Sequence, residues 1–301
     1  MDERDEWLER IASIRRWARG GERAPHKPLL LLYALGRLQR VGRSEVRYVE
    51  AEPGLASLLR DYGPTGRTTT PAYPFHHLQT DGLWIVRSDH GDPGSSPGRL
   101  RSSGAVGRLA PDFEEALVHD PALVPLIAHA LLDANFPESL HHDLCVAAGL
   151  DLEALEVSVA RTRVQQLRRR DPMFRQLVLV AYEYRCAMCG YDGRLGTDAV
   201  GLDAAHVRWW AFDGPDTVDN GLCLCSFHHK LLDRGVLGIT DGHDVAVSAH
   251  FVGRGRAAEE LVLRLVGQPL LEPQRGQPTP SQGHIGWHGE QVFRQPARLS
   301  A

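Results

Sequence analysis

Residues 186–239 read CAMCGYDGRLGTDAVGLDAAHVRWWAFDGPDTVDNGLCLCSFHHKLLDRGVLGI and decide how the chain is interpreted. Cys186 and Cys189 form a pair with two residues between them, and Cys225 and His228 repeat this spacing. Three thiolates and one imidazole make a complete tetrahedral shell for a structural Zn²⁺ ion. Ordinary buried thiols are the alternative, but two matched pairs in one short segment favour zinc.

The two remaining cysteines, Cys145 and Cys223, are interpreted as small core residues. Four of the five cysteines lie close together, which favours a metal site over a disulfide framework. The N-terminal sequence MDERDEWLERIASIRRW is charged and has no signal-peptide core. We therefore expect a cytoplasmic protein with no membrane partner.

The charge of this chain of 301 residues is unevenly distributed, although its net value is only −4. Residues 15–47 contain nine basic side chains and two acidic ones, whereas residues 112–156 contain ten carboxylates and no Lys or Arg. A cationic N-terminal face followed by an anionic stretch is typical of a DNA-binding protein of modest net charge. With 43% apolar and 24% charged residues, the composition excludes a disordered or collagen-like chain.

Length and pattern predict an α+β protein of two domains. We expect a mainly helical DNA-reading domain over residues 1–155, a linker helix over 156–170, and a zinc-stabilised domain of helices and strands over 171–301. In the first domain the pattern predicts a helix over 5–19, a buried helix from Pro28, a strand over 83–89, a long Gly, Ser and Pro loop over 90–107, and a helix from Pro121 to just before Pro137.

In the second domain a helix begins at Pro172, after Asp171 as a possible N-cap. The pattern then predicts strands at about 199–207 and at NGLCLC, a helix that ends at Gly235, and a hairpin that turns at Asp241 and Gly242. Residues 268–283, rich in Pro, Gln and Gly, are expected to form a tether.

The blocks LDAAHVRWW, TVDNGLCLC and FHHKLLDRGVLGI, within about residues 172–240, resemble the HNH or ββα-metal endonucleases. The resemblance implies that His206 is the general base, that Asn220 pins the loop and the base, and that His229 is a ligand of a catalytic Mg²⁺ or Mn²⁺ ion. A neutral imidazole can deprotonate water, and a hard cation can hold the phosphate and the leaving oxygen. His228 and His229 project about 100° apart on a helix, so they can face different ions.

The sequence departs from the family pattern at Ala205, where many members carry a metal-binding Asp or His. We expect Asp203 to be the second protein ligand, with water and phosphate oxygens completing the shell; a surface carboxylate is the alternative. Asp213, Asp216 and Asp219 are interpreted as turn residues. Asp233 is expected to cap a helix or to pair with Arg234 or a neighbour.

The N-terminal half carries PHKPLLLLYAL, TTTPAYPFHHLQTDGLW and an arginine-containing loop. Over about residues 20–110 it resembles the sulfur-binding domains that precede HNH modules in type IV restriction endonucleases of the McrA kind. Those enzymes attack DNA that carries phosphorothioate linkages. The resemblance implies that modified double-stranded DNA is the partner of this domain.

A phosphorothioate reader needs an apolar wall, because sulfur is larger and more weakly hydrated than the oxygen it replaces. Tyr73 and Pro74, with Phe75 and His77 nearby, are expected to form this wall. His26, Lys27, Arg99 and Arg101 are expected to contact the remaining oxygens and the flanking phosphates. The alternative is an aromatic turn packed on the core and arginines that are only solvated.

The leading hypothesis is therefore a metal-dependent endonuclease that binds phosphorothioate-modified duplex DNA and cuts near the modification. A second hypothesis keeps the nuclease but directs it to another modification, such as a methylated base. A third is a zinc-stabilised DNA-binding regulator without catalysis. Because cutting both strands takes two active sites or two visits, we expect a homodimer.

Overall fold

The computed structural model describes residues 3–14, 25–65, 70–150 and 172–299. The chain divides into two compact units, residues 1–166 and 167–301. Both units combine helices with small antiparallel sheets, so the expected α+β class is confirmed. The predicted linker helix over 156–170 lies outside the described residues, and the predicted domain limits stay predictions.

The first unit is mainly helical. Its helices are α1 (Glu3–Ala12), α2 (His26–Val41), α3 (Tyr48–Tyr62), α4 (Ala72–His77), α5 (Pro97–Ser102), α6 (Pro111–His119), α7 (Leu123–Asp133) and α8 (His141–Ala148). Its strands are β1 (Val46–Arg47), β2 (Trp84–Arg87) and β3 (Val106–Leu109). These strands form one sheet in which β3 lies in the middle, antiparallel to both neighbours.

Helix α2 lies at the centre of this unit. Its four consecutive leucines, residues 29–32, are fully buried, because α3, α4, α7 and α8 all pack against the helix. The turn that these leucines form is apolar on every side, and such a turn is stable only where other elements surround it. It ends at Gly42, whose left-handed backbone (φ +73°) lets its N–H bond the Leu38 carbonyl.

Three aromatic side chains pack together next to the sheet of the first unit. Phe75 packs edge-on against both Tyr48 and Trp84, with ring centroids 5.1 and 5.4 Å away. Gly107 in β3 makes this packing possible, since a Cβ atom there would lie 2.2 Å from the Trp84 ring. Phe75 is therefore a core residue that holds α4 against the sheet.

Two expectations for the first unit need correction. Helix α1 ends at Ala12 rather than near Gly20, and residues 15–24 lie outside the described part of the chain. The stretch 90–107 is not one continuous loop, because Pro97 begins the short helix α5, which buries Leu100. The strand expected over 83–89 appears as β2, and the helix expected from Pro121 appears as α7.

Helices α6 and α7 carry part of the acidic stretch and bury apolar residues in the first unit. Among the described residues, no single helix has the length and apolar composition needed to span a membrane. Taken together, α6 and α7 reach that length and composition, but a bend of 118° separates them.

Within residues 172–299, the second unit contains three two-stranded antiparallel sheets and four α-helices. Its strands are β4 (Arg194–Leu195), β5 (Asp198–Ala199), β6 (Leu202–His206), β7 (Gly221–Cys225), β8 (Leu237–Ile239) and β9 (Val245–Val247), paired in chain order. Its helices are α9 (Pro172–Ala181), α10 (Ser226–Asp233), α11 (Arg256–Leu261) and α12 (Gln282–Gln291). The expected hairpin around Asp241 and Gly242 is the β8–β9 pair.

Strands β6 and β7 and helix α10 form a ββα motif. Leu202 pairs with Cys225 at one end of the ladder, and His206 pairs with Gly221 at the other. Helix α9 packs on both strands, and Gly221 permits this contact because a Cβ atom there would lie 2.4 Å from Val178. The strand expected at 199–207 is divided, since Gly201 has φ +71° and separates β5 from β6.

The stretch 268–283 is not a loose tether. The backbone N–H of Leu271 bonds the Ala187 carbonyl at 2.8 Å, and that of Gln274 bonds the Ala181 carbonyl at 2.7 Å. Helix α12 follows and packs its Trp287 against Trp209, with ring centroids 6.0 Å apart. The C-terminal segment is thus an integral part of the second unit.

Candidate functional site

The structure brings together the four side chains with the repeated Cys/His spacing. The ligand atoms of Cys186, Cys189, Cys225 and His228 all lie within 4.8 Å of one another. His228 Nδ1 is 3.3 Å from Cys225 Sγ and 3.6 Å from Cys186 Sγ. These separations suit a tetrahedral ion with sulfur and nitrogen ligands, and this donor set is the one that structural zinc sites use.

Local backbone structure aims these four side chains at one point. Gly190 takes a left-handed conformation (φ +74°) that turns the chain just after the first pair, and its N–H bonds the Cys186 carbonyl. Cys225 ends β7, and His228 lies in the first turn of α10. His228 Nε2–H donates to the Leu261 carbonyl at 2.8 Å, which leaves the lone pair of Nδ1 directed toward the thiols.

The electrostatics of this cluster favour a thiolate. Hydrogen bonds from Cys189 and Cys225 hold the pKa of the Cys186 thiol far below its ordinary value. By contrast, burial raises the pKa of Cys223 to about 12 and that of Cys145 to about 11. Both of these thiols are buried, in agreement with their interpretation as core residues.

The second set of side chains lies on the same ββα motif. His206 is the last residue of β6, and its ring stacks on Phe174 with centroids 4.1 Å apart and an angle of 22°. His206 Nε2–H donates to Asp216 Oδ1 at 2.7 Å. Asp216 was interpreted from sequence as a turn residue, so this contact is a finding that the sequence reasoning missed.

Asn220 is completely buried and makes three hydrogen bonds to the loop that joins β6 to β7. Its Oδ1 accepts from the Arg208 N–H at 2.8 Å, and its Nδ2 donates to the carbonyls of Arg208 and Pro215, each at 3.0 Å. The side chain thus clamps both ends of the segment 208–215. Such an arrangement suits the expected role of Asn220 in pinning the loop.

His229 lies between two carboxylates. Its Nδ1 is 3.7 Å from Asp203 Oδ2, and its Nε2 is 3.3 Å from Asp233 Oδ2. Asp233, whose side chain is only 2% exposed, follows His229 by one helical turn and contacts it directly. The sequence-based interpretation of Asp233 did not foresee this contact, although the spacing of four residues on a helix is a signal that indicates it.

Asp203 and His229 together fit a hard divalent cation. One carboxylate oxygen and one imidazole nitrogen at 3.7 Å can coordinate the same ion, and the remaining positions would be open to water and phosphate. The neighbouring His229 lowers the pKa of Asp203, against the opposing effect of burial, and Ser226 Oγ donates to the same carboxylate at 3.2 Å. Asp203 is therefore ionised and oriented at neutral pH.

In the first unit the structure brings together three of the rings expected to read DNA. Tyr73, with 42% of its surface exposed, lies with its ring centroid 4.4 Å from that of His77 and 6.1 Å from that of His26. Burial, and then the nearby His76 and Lys27, lower the pKa of His77, so its imidazole is neutral at pH 7. These rings form a partly exposed aromatic surface without a fixed positive charge on His77.

Pro74 and Phe75 do not share that exposure. Both are buried, and Phe75 is enclosed by Tyr48 and Trp84. The expectation that Phe75 forms part of an exposed wall is wrong, because its ring fills the core beneath the sheet. Within α4, the side chain of Tyr73 is exposed to solvent, whereas that of Phe75 is buried in the core.

The four expected cations also differ in their surroundings. Lys27 Nζ lies 2.5 Å from Asp81 Oδ2, where both side chains are largely buried, and Arg101 binds Glu52 through two hydrogen bonds of 2.6 and 2.7 Å. Arg99 is exposed on α5, and within the described residues its side chain has no hydrogen bond or ion pair. Arg99 is therefore better placed than Lys27 or Arg101 to meet a phosphate.

Two protein families match the chain. The family described as ScoMcrA-like, DNA sulfur-binding domain, matches residues 4–153, and the family described as HNH endonuclease matches residues 186–240. No curated protein matches the chain.

Three solved structures are similar to part of this chain. The sulfur-binding domain of SprMcrA complexed with phosphorothioated DNA is 25% identical, with a TM-score of 0.42 over 50% of this chain and 95% of that one. The corresponding ScoMcrA domain complex is 23% identical, with a TM-score of 0.41 over 50% and 98%. The type IV phosphorothioation-dependent restriction endonuclease ScoMcrA is 22% identical, with a TM-score of 0.39 over 54% of this chain and 30% of that one.

The assignment of the two domains rests on the family matches, and the Cys/His cluster lies within the second of them. Residues 4–153 therefore belong to the ScoMcrA-like DNA sulfur-binding domain family, and residues 186–240 belong to the HNH endonuclease family.

Proposed function

We propose that this protein binds phosphorothioate-modified double-stranded DNA and hydrolyses phosphodiester bonds near the modification. One observation carries the proposal: a single chain joins a sulfur-binding domain to an HNH domain in which His206, Asn220 and His229 all have defined polar partners. A regulator without catalysis has no need for this second set of side chains beside the Cys/His cluster.

In this proposal the aromatic surface of Tyr73, His26 and His77 reads the sulfur. Placing an unmodified phosphate oxygen against it without a hydrogen bond costs about 2 to 7 kcal/mol, while sulfur loses much less because it is weakly hydrated. Neutral His77 suits this role, since a charged ring would attract both linkages. Phe75 supports the surface from the core and does not touch the DNA.

Arg99 is proposed to hold a phosphate oxygen, or a guanine edge, next to the modified linkage. Lys27 and Arg101 act mainly through the protein, because Asp81 and Glu52 already neutralise them. Lys27 ties α2 to the turn after α4, and Arg101 ties α5 to α3. Both ion pairs therefore keep the elements that carry Tyr73 and Arg99 in place.

Hydrolysis is assigned to the second domain. His206 accepts a proton from the attacking water, and Asn220 holds the loop beside it. Asp203 and His229 would hold a divalent cation, Mg²⁺ or Mn²⁺, which would supply positive charge for the phosphate and the leaving 3′-oxygen. The Cys/His cluster is proposed to hold Zn²⁺ with a structural role, and the expected homodimer stays a prediction.

The zinc assignment predicts that loss of one thiolate destabilises the second unit. Cys189→Ser should reduce the zinc content of the full chain from one ion to nearly none and lower its melting temperature, because a structural zinc ion contributes directly to folding. Cys223→Ala is the matched control: it removes a neighbouring buried thiol and should retain one zinc per chain. Elemental analysis measures the zinc content of each variant, and thermal unfolding with and without a chelator measures its melting temperature. Retention of zinc by Cys189→Ser would exclude the assigned ligand set.

The nuclease assignment predicts a difference between two duplexes that differ in one atom. With Mg²⁺ or Mn²⁺, the full chain should cut a duplex carrying one phosphorothioate linkage and leave the same unmodified duplex largely intact. His206→Ala should lower the single-turnover rate by about 10²- to 10⁴-fold, as expected for loss of a general base, while binding is retained.

Three outcomes of that digest count against the proposal in different ways. Equal cutting of both duplexes would show that cleavage does not depend on the phosphorothioate sulfur. Preferential cutting of a duplex that carries a methylated base would indicate that the first domain recognises a base modification. Absence of strand scission across a series of divalent cations leaves a DNA-binding regulator.

The different surroundings of Arg99 and Arg101 predict different effects on affinity. Arg99→Ala should weaken binding of the modified duplex about 10-fold or more and reduce the salt dependence of binding by roughly one counterion, as for one lost phosphate contact. Arg101→Ala removes the same charge from the same helix but should cost less affinity. Titrations at several salt concentrations measure both, and a larger loss for Arg101→Ala would reverse the assignment.

A further inference from the structure

The roles proposed for the residues of the nuclease centre do not explain the contact between His206 and Asp216. We propose that Asp216 is a positioning residue of the nuclease centre, which holds the His206 imidazole in the orientation and tautomer that proton abstraction requires. This inference rests on the proposed function of His206 as the base. It assigns Asp216 no contact with the DNA or the cation.

The geometry of the pair is that of a hydrogen-bonded base and orienter. His206 Nε2 and Asp216 Oδ1 are 2.7 Å apart, and the two side chains are 13% and 17% exposed. At this exposure water competes weakly for the bond, so the carboxylate strongly restricts rotation of the ring. Phe174 stacks on the ring face and fixes its plane independently.

The loop that carries Asp216 is itself held in place by Asn220. The Asn220 amide donates to the carbonyl of Pro215, the residue immediately before Asp216, while the other contacts of Asn220 hold Arg208 at the start of the loop. Asn220 therefore fixes the backbone from which Asp216 reaches His206. On this account the effect of Asn220 on the base is transmitted through Asp216.

The other two loop carboxylates are arranged differently. Asp213 is exposed and has a left-handed backbone (φ +60°), as expected of a turn residue. Asp219 Oδ2 lies 4.0 Å from His284 Nε2, on α12. Within the described residues, Asp216 is the member of this loop whose carboxylate reaches His206, so a role confined to the turn does not account for it.

The bond determines which nitrogen takes part in the reaction. A carboxylate accepts the proton-bearing Nε2, so the lone pair of the neutral ring is on Nδ1. Nδ1 then takes a proton from water as the water oxygen bonds phosphorus and the bond to the 3′-oxygen breaks. Asp216 stays ionised throughout and stabilises the imidazolium that forms, as carboxylates do beside catalytic histidines in other hydrolases.

The rate test compares two loop carboxylates on the full chain with phosphorothioate-modified duplex. Asp216→Asn and Asp216→Ala should each lower the single-turnover cleavage rate by about 10²-fold or more, whereas Asp213→Asn, which removes the same charge from the same loop, should stay within about threefold. In a His206→Ala background, Asp216→Asn should cost little further. A merely structural Asp216 would cost the same in both backgrounds, and that result would overturn the proposal.

A second readout does not depend on cleavage. Nitrogen-15 NMR of the zinc-loaded chain without a catalytic cation should find the proton of neutral His206 on Nε2, with the His206 signals assigned from their loss in His206→Ala. Asp216→Asn should lower the pKa of His206, since removal of a neighbouring negative charge disfavours the imidazolium, while Asp213→Asn should not.

The two readouts separate failure of this inference from failure of the proposed function. If the wild-type chain cuts modified DNA but Asp216→Asn leaves the rate and the His206 titration unchanged, Asp216 is not a positioning residue. If the wild-type chain cuts no DNA, the nuclease proposal fails, and the NMR titration still decides whether Asp216 controls His206.

Discussion

The convergence of Cys186, Cys189, Cys225 and His228 on one point is the constraint on which the second unit depends. The sheets around this point are two-stranded, and hairpins of that kind are only marginally stable alone. The cluster joins the turn before β4 to the end of β7 and the start of α10. It therefore fixes the direction in which α10 leaves the sheet, and with it the positions of the side chains along that helix.

One consequence is that neighbouring histidines on α10 have separate surroundings. His228 is buried, with Nδ1 beside two thiols and Nε2 bonded to the Leu261 carbonyl. His229 lies between Asp203 and Asp233 on another face of the helix. The Cys/His cluster and a pair of side chains suited to a hard cation thus meet at adjacent residues of one helix, so a shift of α10 would move both sets.

The short-range features of this unit follow from the sequence. The repeated spacing of the two ligand pairs, the glycine after Cys189, and the chain order of strand, strand and helix are local patterns, so they predicted the Cys/His cluster and the placement of His206 and Asn220 on the ββα motif. The partner of His206 was missed because a carboxylate in a Gly and Pro loop is usually a turn residue. The hydrogen bond from Asn220 to the Pro215 carbonyl, which holds the backbone next to Asp216, is not visible in the local sequence.

Long-range pairings limited the prediction in the first unit. Nothing near Arg101 in the sequence indicates that Glu52, on α3, will bind it, and nothing near Lys27 indicates Asp81. Phe75 was assigned to a surface because its neighbour Tyr73 belongs there, but Gly107 opens the core to its ring from a distant strand. The tether expected after residue 268 failed for the same reason, since its hydrogen-bond partners lie on and after α9.

In the proposed function, the adjacent imidazoles of His228 and His229 bind two different ions. Electron paramagnetic resonance of Mn²⁺ added to the zinc-loaded chain tests this assignment, because coupling of manganese to a histidine nitrogen identifies the ligand. We expect one exchangeable Mn²⁺ with nitrogen coupling that is lost in His229→Ala and retained in His206→Ala, with the zinc content unchanged. Manganese without nitrogen coupling, or manganese that enters only by displacing zinc, would show that His229 does not bind a second ion.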